Sequence, residues 1–175
     1  MTTVLSVRPT TPADLAAVDA LLGRSYPALL KGAYPPSVLV TAIPLISKAN
    51  PQLLASGTYF VVTDGDEVVG AGGWTRAAPA GCGATRRGWG HVRHVVTDHR
   101  RVREGIGKLL MNHIFSTASV SGIGGLDCLS TLVAVPFYAA LGFETVGPAN
   151  VTLRQGIEFP SVLMRRSLGD TSRHA

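Results

Sequence analysis

The run Arg103-Glu104-Gly105-Ile106-Gly107-Lys108 places two glycines between two cations within one short turn. Overlapping it, Ile106, Leu109, Leu110, His113 and Ile114 recur at spacings of three and four, the period of an amphipathic helix. A helix start presents backbone N–H groups that no carbonyl accepts, together with a partial positive charge. Glycine there lets an anion approach those groups without meeting a Cβ, and Arg and Lys add charged donors. The chemistry this pattern suits is the binding of a phosphate or pyrophosphate. A nucleotide P-loop requires G-x-x-x-x-G-K-[ST]. Here Leu109 follows Gly107-Lys108 and Val102 stands five before Gly107, so that pattern fails. A dinucleotide turn requires a third glycine where Leu110 stands. Two readings remain: a coenzyme A pyrophosphate turn, or a glycine-containing helix start that binds nothing.

Upstream, His91 and His94 are able to exchange protons near neutrality. Three apart on a strand, they face opposite sides, which argues against a shared metal site. Regular alternation would group His94 with Val92 and Val96, and His91 with Arg93 and Val95. Asp98 and Glu67 are weaker candidates for a base. Trp74 and Trp89 flank a Gly/Arg-rich loop over 77–88, where they could line a pocket or cap a core. Cys82 and Cys128 are too few for a disulfide framework and read as reduced thiols.

The elements that must position these residues follow from pattern and punctuation. A short strand is predicted over 4–8. Thr11-Pro12-Ala13-Asp14 has the order of a helix start, with Leu15, Val18 and Leu22 continuing the helix to a stop at Gly23. The stretch 26–36 is broken by Pro and Gly and reads as loop, followed by a helix over 37–49 with a kink near Pro44. Strands over 58–63 and 67–76 flank the turn Asp64-Gly65-Asp66, and Gly70, Gly72 and Gly73 signal a bulge or a close neighbour. A strand over 89–97 leads into the glycine turn and its helix. A strand over 123–129, a short helix over 134–141 and strands over 143–153 and 157–168 complete the chain. Mixed strands and helices with hairpins at both ends imply a single α/β layered domain around one mixed sheet.

The chain has 175 residues, enough for one domain with one core. No apolar run reaches the ~18 residues a membrane span needs. The first residues, MTTVLSVRPTTPADL, lack a basic stretch followed by an apolar one, so no secretory signal is expected and the protein is read as cytoplasmic. The net charge of +5 raises the question of nucleic acid. The basic residues crowd around the glycine turn, however, without interleaved aromatics or a recognised binding motif, which suits a small polyphosphate better than a long groove.

Strand, Arg-rich turn, Gly-Ile-Gly and amphipathic helix together resemble the acetyl-CoA motif Q/R-x-x-G-x-G/A of the GNAT N-acetyltransferases. Val102 stands where that family has Gln or Arg, which removes a side-chain contact but not the backbone cradle. The later run Phe137-Tyr138-Ala139-Ala140-Leu141-Gly142-Phe143 resembles the family's F-Y-x-x-L-G-F, and Thr131 lies seven before the Tyr, where many relatives carry Asn. Phe159-Pro160-Ser161-Val162-Leu163-Met164 looks like the family's last strand. The resemblance spans most of residues 1–168, leaving 169–175 as an expected disordered tail.

The resemblance implies an N-acetyltransferase with acetyl-CoA as cosubstrate, no metal, and direct transfer to a primary amine that the sequence does not name. It implies that acetyl-CoA lies along Val95, Val96 and Thr97 and across Val102, Arg103, Glu104, Gly105, Ile106, Gly107 and Lys108. Thr131 and Phe137 contribute from the second motif. Tyr138 falls at the general-acid position, and of the two histidines His94 is assigned as base. Many relatives dimerise, so a homodimer is an expectation. The rival reading is a non-catalytic acyl-CoA-binding module.

Overall fold

The computed structural model describes residues 4–80, 82–83 and 85–169. Residues 170–175 of the expected tail lie outside that range. Strands β1 (Leu5–Pro9), β2 (Tyr59–Asp64), β3 (Glu67–Thr75), β4 (Trp89–Thr97), β5 (Gly125–Ser130), β6 (Glu144–Thr152) and β7 (Glu158–Ser167) form one sheet. Its order is β1-β2-β3-β4-β5-β7-β6. Every neighbouring pair is antiparallel except β4 with β5. The helices are α1 (Leu15–Leu30), α2 (Pro36–Ile46), α3 (Pro51–Leu54), α4 (Ile106–Val120) and α5 (Val135–Ala140). This is the mixed, mostly antiparallel sheet flanked by helices that the resemblance to the GNAT N-acetyltransferases implies.

Both faces of the sheet are covered, so strand residues alternate between two cores. Phe60 and Val62 pack in one core with Leu110, Met111 and Ile114 of α4. Tyr59 and Val61 pack in the other with Val18, Leu21 and Leu22 of α1. The glycines of β3 let α4 sit close to the sheet. A Cβ on Gly70 would lie 2.9 Å from Cγ2 of Ile106, and one on Gly72 would lie 3.1 Å from Cδ2 of Leu110.

The helix start at Thr11 forms as read. The Asp14 carboxylate accepts from the Thr11 N–H at 2.8 Å, and Pro12–Asp14 makes a 3₁₀ turn leading into α1. The predicted stop at Gly23 is overridden: α1 runs through Gly23 and Pro27 to Leu30. Leu22, Tyr26 and Leu30, four residues apart, are all buried. Each large apolar side chain contributes roughly 1.5–3 kcal/mol on burial. A helical glycine costs about 1 kcal/mol and a helical proline about 3. The face wins over the punctuation. The short helix α3 was not expected, although its start is ordinary: Asn50 accepts from the Gln52 N–H at 2.9 Å, and Pro51 opens the helix.

Strand β4 has the predicted bounds but not the predicted alternation. Gly73 pairs with Arg93 and Ala71 with Val96, so His94 and Val95 together oppose Gly72. His94 adopts φ +44, and the extra residue makes a β-bulge. Val95 therefore joins Val92 on the α4 face, and Val96 moves to the α1 face. The expected grouping of His94 with both Val92 and Val96 is corrected by this single inserted residue.

Candidate active site

The bulge sits where β4 leaves its neighbour. Strand β4 pairs with β5 only at Trp89, Gly90 and His91, opposite Gly125, Leu126 and Asp127. The other edge of β5 pairs with β7 along its whole length. Bulges bend a strand and increase its twist, which accounts for the divergence. The Tyr59 hydroxyl donates to the His94 carbonyl at 3.0 Å and holds the bulge in place. Between the diverging strands lies a cavity of about 800 Å³, lined along β4 from Val92 to Thr97 and on the opposite side by Cys128, Leu129 and Tyr138. Backbone groups on β4 that would otherwise pair with a strand can here pair with a bound amide.

At one end of the cavity the glycine turn opens α4. Gly105 is its N-cap with φ +80, a conformation that side-chain-bearing residues rarely adopt. A Cβ on Gly105 would meet no atom within 4 Å, so the space beside the first N–H groups is open. Arg103, itself at φ +66, and Lys108 line the cavity and form no ion pair among the described residues. An open helix N-terminus with two uncommitted cations fits a pyrophosphate. Glu104 does not oppose it, because Arg101 holds its carboxylate at 3.1 Å. Arg100 and Arg101 are themselves taken by Asp98, Glu67 and Asp64, so the basic cluster offers fewer phosphate donors than its sequence suggests. Gly107 has a different reason to be glycine: a Cβ there would lie 2.9 Å from the Phe137 ring.

Val102 is exposed beside the turn, while Ile106 and Val96 send their side chains into the two cores. Any contact that Ile106 or Val96 makes with a ligand is therefore through backbone. Thr97 and Val95 line the cavity. Thr131 also lines it, and its hydroxyl accepts from the Ala134 N–H at 3.3 Å, turning the chain into α5.

Tyr138 is buried between Phe137 and Phe143, with ring centroids at 5.1 and 5.4 Å, and reaches the cavity wall. Burial, followed by the neighbouring Cys128 thiol, raises its hydroxyl well above the usual value, so it stays protonated at any working pH. Burial likewise pushes the Cys128 thiol up to about 12. A thiol held protonated is a poor nucleophile.

His94 lines the cavity and His91 does not. Burial, then the charge of Arg93, lowers the His94 imidazole to about 4, so it is neutral at pH 7. His91 borders a separate, smaller pocket beside Asp127, and its Nε2 is buried with no partner. Asp98 is excluded as a base: it is fully buried, and Arg24 and Arg100 bind its carboxylate at 3.2 and 2.7 Å. Trp74 caps the α4-side core, its Nε1 donating to the Thr117 hydroxyl at 3.0 Å. Arg93 went unrecognised as a site residue. The available signal was a cation amid apolar residues on a central strand. Among the described residues no cluster of three His, Cys, Asp or Glu side chains could hold a metal ion. Nor is any helix among them long and apolar enough to cross a membrane.

A strand pair splayed over a cavity, with a glycine turn at one end and a buried tyrosine on the wall, is the arrangement expected of an acyl-CoA-dependent transferase. Residues 44–166, well over half of the chain, match the family model for the acetyltransferase (GNAT) domain. The chain belongs to the GNAT acetyltransferase family and is an acyltransferase that uses acetyl-CoA. No curated protein matches the sequence. Among solved structures it is similar to a GCN5-related N-acetyltransferase from Rhodopseudomonas palustris, at 18% identity and TM-score 0.72, over 95% of this chain and 98% of that one. It is also similar to the PaiA N-acetyltransferase from Thermoplasma acidophilum, solved with coenzyme A, at 11% identity and TM-score 0.65, over 94% and 99%. A third is the ribosomal-protein-S18-alanine N-acetyltransferase from Escherichia coli, at 14% identity and TM-score 0.61, over 98% and 99%.

Proposed function

We propose that this chain moves the acetyl group of acetyl-CoA directly to a primary amine, with Tyr138 as general acid. The observation that carries the reading is the divergence of β4 from β5 after His91, which opens β4 onto the cavity that Tyr138 walls. Acetyl-CoA supplies the acetyl group as an activated thioester. The N–H groups at Gly105 and Gly107, with Arg103 and Lys108, hold its phosphates. Val102, Glu104 and Ile106 contribute backbone to the same turn. The backbone of Val95, Val96 and Thr97 orients the pantetheine arm, and an N–H there polarises the carbonyl. Thr131 and Phe137 pack alongside.

The amine nitrogen attacks the thioester carbon, the C–S bond breaks, and the sulfur leaves with the bonding electrons. The Tyr138 hydroxyl donates its proton to that sulfur and recovers one from solvent. His94, neutral at pH 7, accepts the proton lost by the nitrogen through water and passes it to bulk. Cys128, the thiol on the cavity wall nearest Tyr138, is held protonated, which supports direct transfer over an acyl-enzyme. A pool of acetyl-CoA and two reduced thiols suit the cytoplasm. Thiol release on mixing acetyl-CoA with a panel of primary amines tests the reading. A protein that binds acetyl-CoA yet releases thiol with none of them is the non-catalytic binder instead.

A further inference from the structure

The cavity beyond His94 carries positive charge that no carboxylate among the described residues neutralises. None of the described residues lining the cavity is Asp or Glu. On the side away from the glycine turn its cations are Arg93, partly buried on β4, and Arg154, exposed at the rim. Neither forms an ion pair among the described residues, whereas Arg8, Arg24, Arg100, Arg101 and Arg165 each have a carboxylate. Arg93 donates from Nη1 to the Thr75 hydroxyl at 3.1 Å, its one side-chain partner among the described residues. A guanidinium carries five donors in a planar fork that matches a carboxylate. Burying one against a single neutral acceptor is costly, and burial lowers the Arg93 pKa accordingly. The cost persists unless something else brings the counter-charge.

The position of Arg93 says what that something does. It lies four residues before Thr97 along β4, past His94 from the phosphate turn, where the acetyl-CoA thioester would end and the acceptor begin. It adjoins His94, so a charge recognised by Arg93 and a nitrogen reacting beside His94 need be only a few bonds apart. Much of the remaining wall is apolar, with Leu29 of α1 and Leu45 and Ile46 of α2, and its polar members Thr152 and Ser161 are uncharged. A polyamine or an aminoglycoside would need carboxylates that this wall lacks.

Resting on the acetyltransferase reading above, we propose that the acceptor is an amino acid with a free carboxylate and an apolar side chain, its carboxylate held by Arg93. The test uses N-acetyl-leucine and N-acetyl-leucinamide as product probes, titrated calorimetrically into the protein loaded with coenzyme A. The acid is expected to bind on the order of ten- to a hundredfold tighter than the amide, the range for a charge-assisted hydrogen-bonded pair. Arg93→Met removes the preference and Arg93→Lys restores part of it, with acetyl-CoA-dependent thermal stabilisation confirming that each variant is folded. Equal binding of acid and amide, binding of neither, or a preference that survives Arg93→Met overturns the proposal. The transferase reading fails separately: a protein that prefers the acid probe yet releases no thiol with any amine binds carboxylates but is not the transferase proposed above. Leucine and leucinamide turned over equally would sink the carboxylate site alone.

Discussion

At the scale of single residues the proposed chemical burden falls on Tyr138, and its surroundings decide how that role can be tested. The ring is wedged between Phe137 and Phe143 and needs no hydroxyl to stay there. Tyr138→Phe should therefore leave acetyl-CoA affinity and melting nearly unchanged while lowering kcat on the order of a hundredfold to ten-thousandfold. The loss should shrink for an acyl donor with a more acidic leaving thiol, which needs less protonation. Full turnover in Tyr138→Phe, with chemistry rate-limiting, would make the residue a packing group and give its role to water.

His94 makes a prediction of opposite kind, in stability. Its folded pKa, about 4, lies below the unfolded value of about 6.5. The unfolded chain then binds the proton first, so stability is full above pH 6.5 and declines as pH falls towards 4. The slope from this one group is at most about 1.4 kcal/mol per pH unit. Asp98, with its pKa lowered chiefly by hydrogen bonding to Arg100, loses its contribution only below the ordinary carboxylate value, outside this window. Urea denaturation of wild type and His94→Gln at pH 4.5, 5.5 and 7 reads the difference. Parallel stability profiles in the two proteins would show that His94 is solvated and not desolvated as described.

At the scale of elements, the start of α4 separates two glycines that look alike in sequence. Gly105 is required by φ +80 and has open space at its Cβ position, whereas Gly107 has the Phe137 ring in that place. Gly105→Ala should cost about 1–2 kcal/mol for its left-handed backbone. It should also raise the Kd for acetyl-CoA about tenfold by crowding the N–H groups. Gly107→Ala should act mainly on melting, and Phe137→Leu in the same chain should recover part of the loss. Unchanged acetyl-CoA binding in Gly105→Ala would place the pyrophosphate elsewhere.

These elements also show what a sequence can and cannot reveal. The bounds of β4, the glycine turn and the short helix carrying Tyr138 were legible because caps, periodicity and punctuation are local. The length of α1 was not, since burial of Tyr26 and Leu30 depends on α2 and the sheet. The bulge at His94 was hidden because it is a count of residues on two strands, β3 and β4, and alternation along one cannot show it. Arg93 was visible as a cation, but its lack of a carboxylate is a property of every element around it.

At the scale of the whole molecule, one sheet with a core on each face holds two diverging strands at a fixed opening. Solved structures only 11–18% identical share this fold, so the fold tolerates wide change in sequence. On the proposed reading this frame sets out a path, with phosphates at the head of α4, a thioester along β4 and an acceptor beyond His94. Tyr34 secures the far wall, its hydroxyl donating to the Pro160 carbonyl at 2.8 Å and accepting from the Leu132 N–H at 2.9 Å, with its ring stacked on Phe159. That tie joins the segment before α2 to β7 and to the turn between β5 and α5. The direct transfer proposed above brings two substrates together in this cleft and leaves no step for an acetylated protein. The most direct test mixes the protein with acetyl-CoA and a reactive primary amine, and counts released thiol, N-acetyl product and intact protein mass on one time course. Direct transfer predicts thiol and product in equal amounts from the first turnover, thiol release that requires the amine, and a protein mass that never changes. A burst of thiol without amine, matched by one acetyl group on the protein, would contradict it.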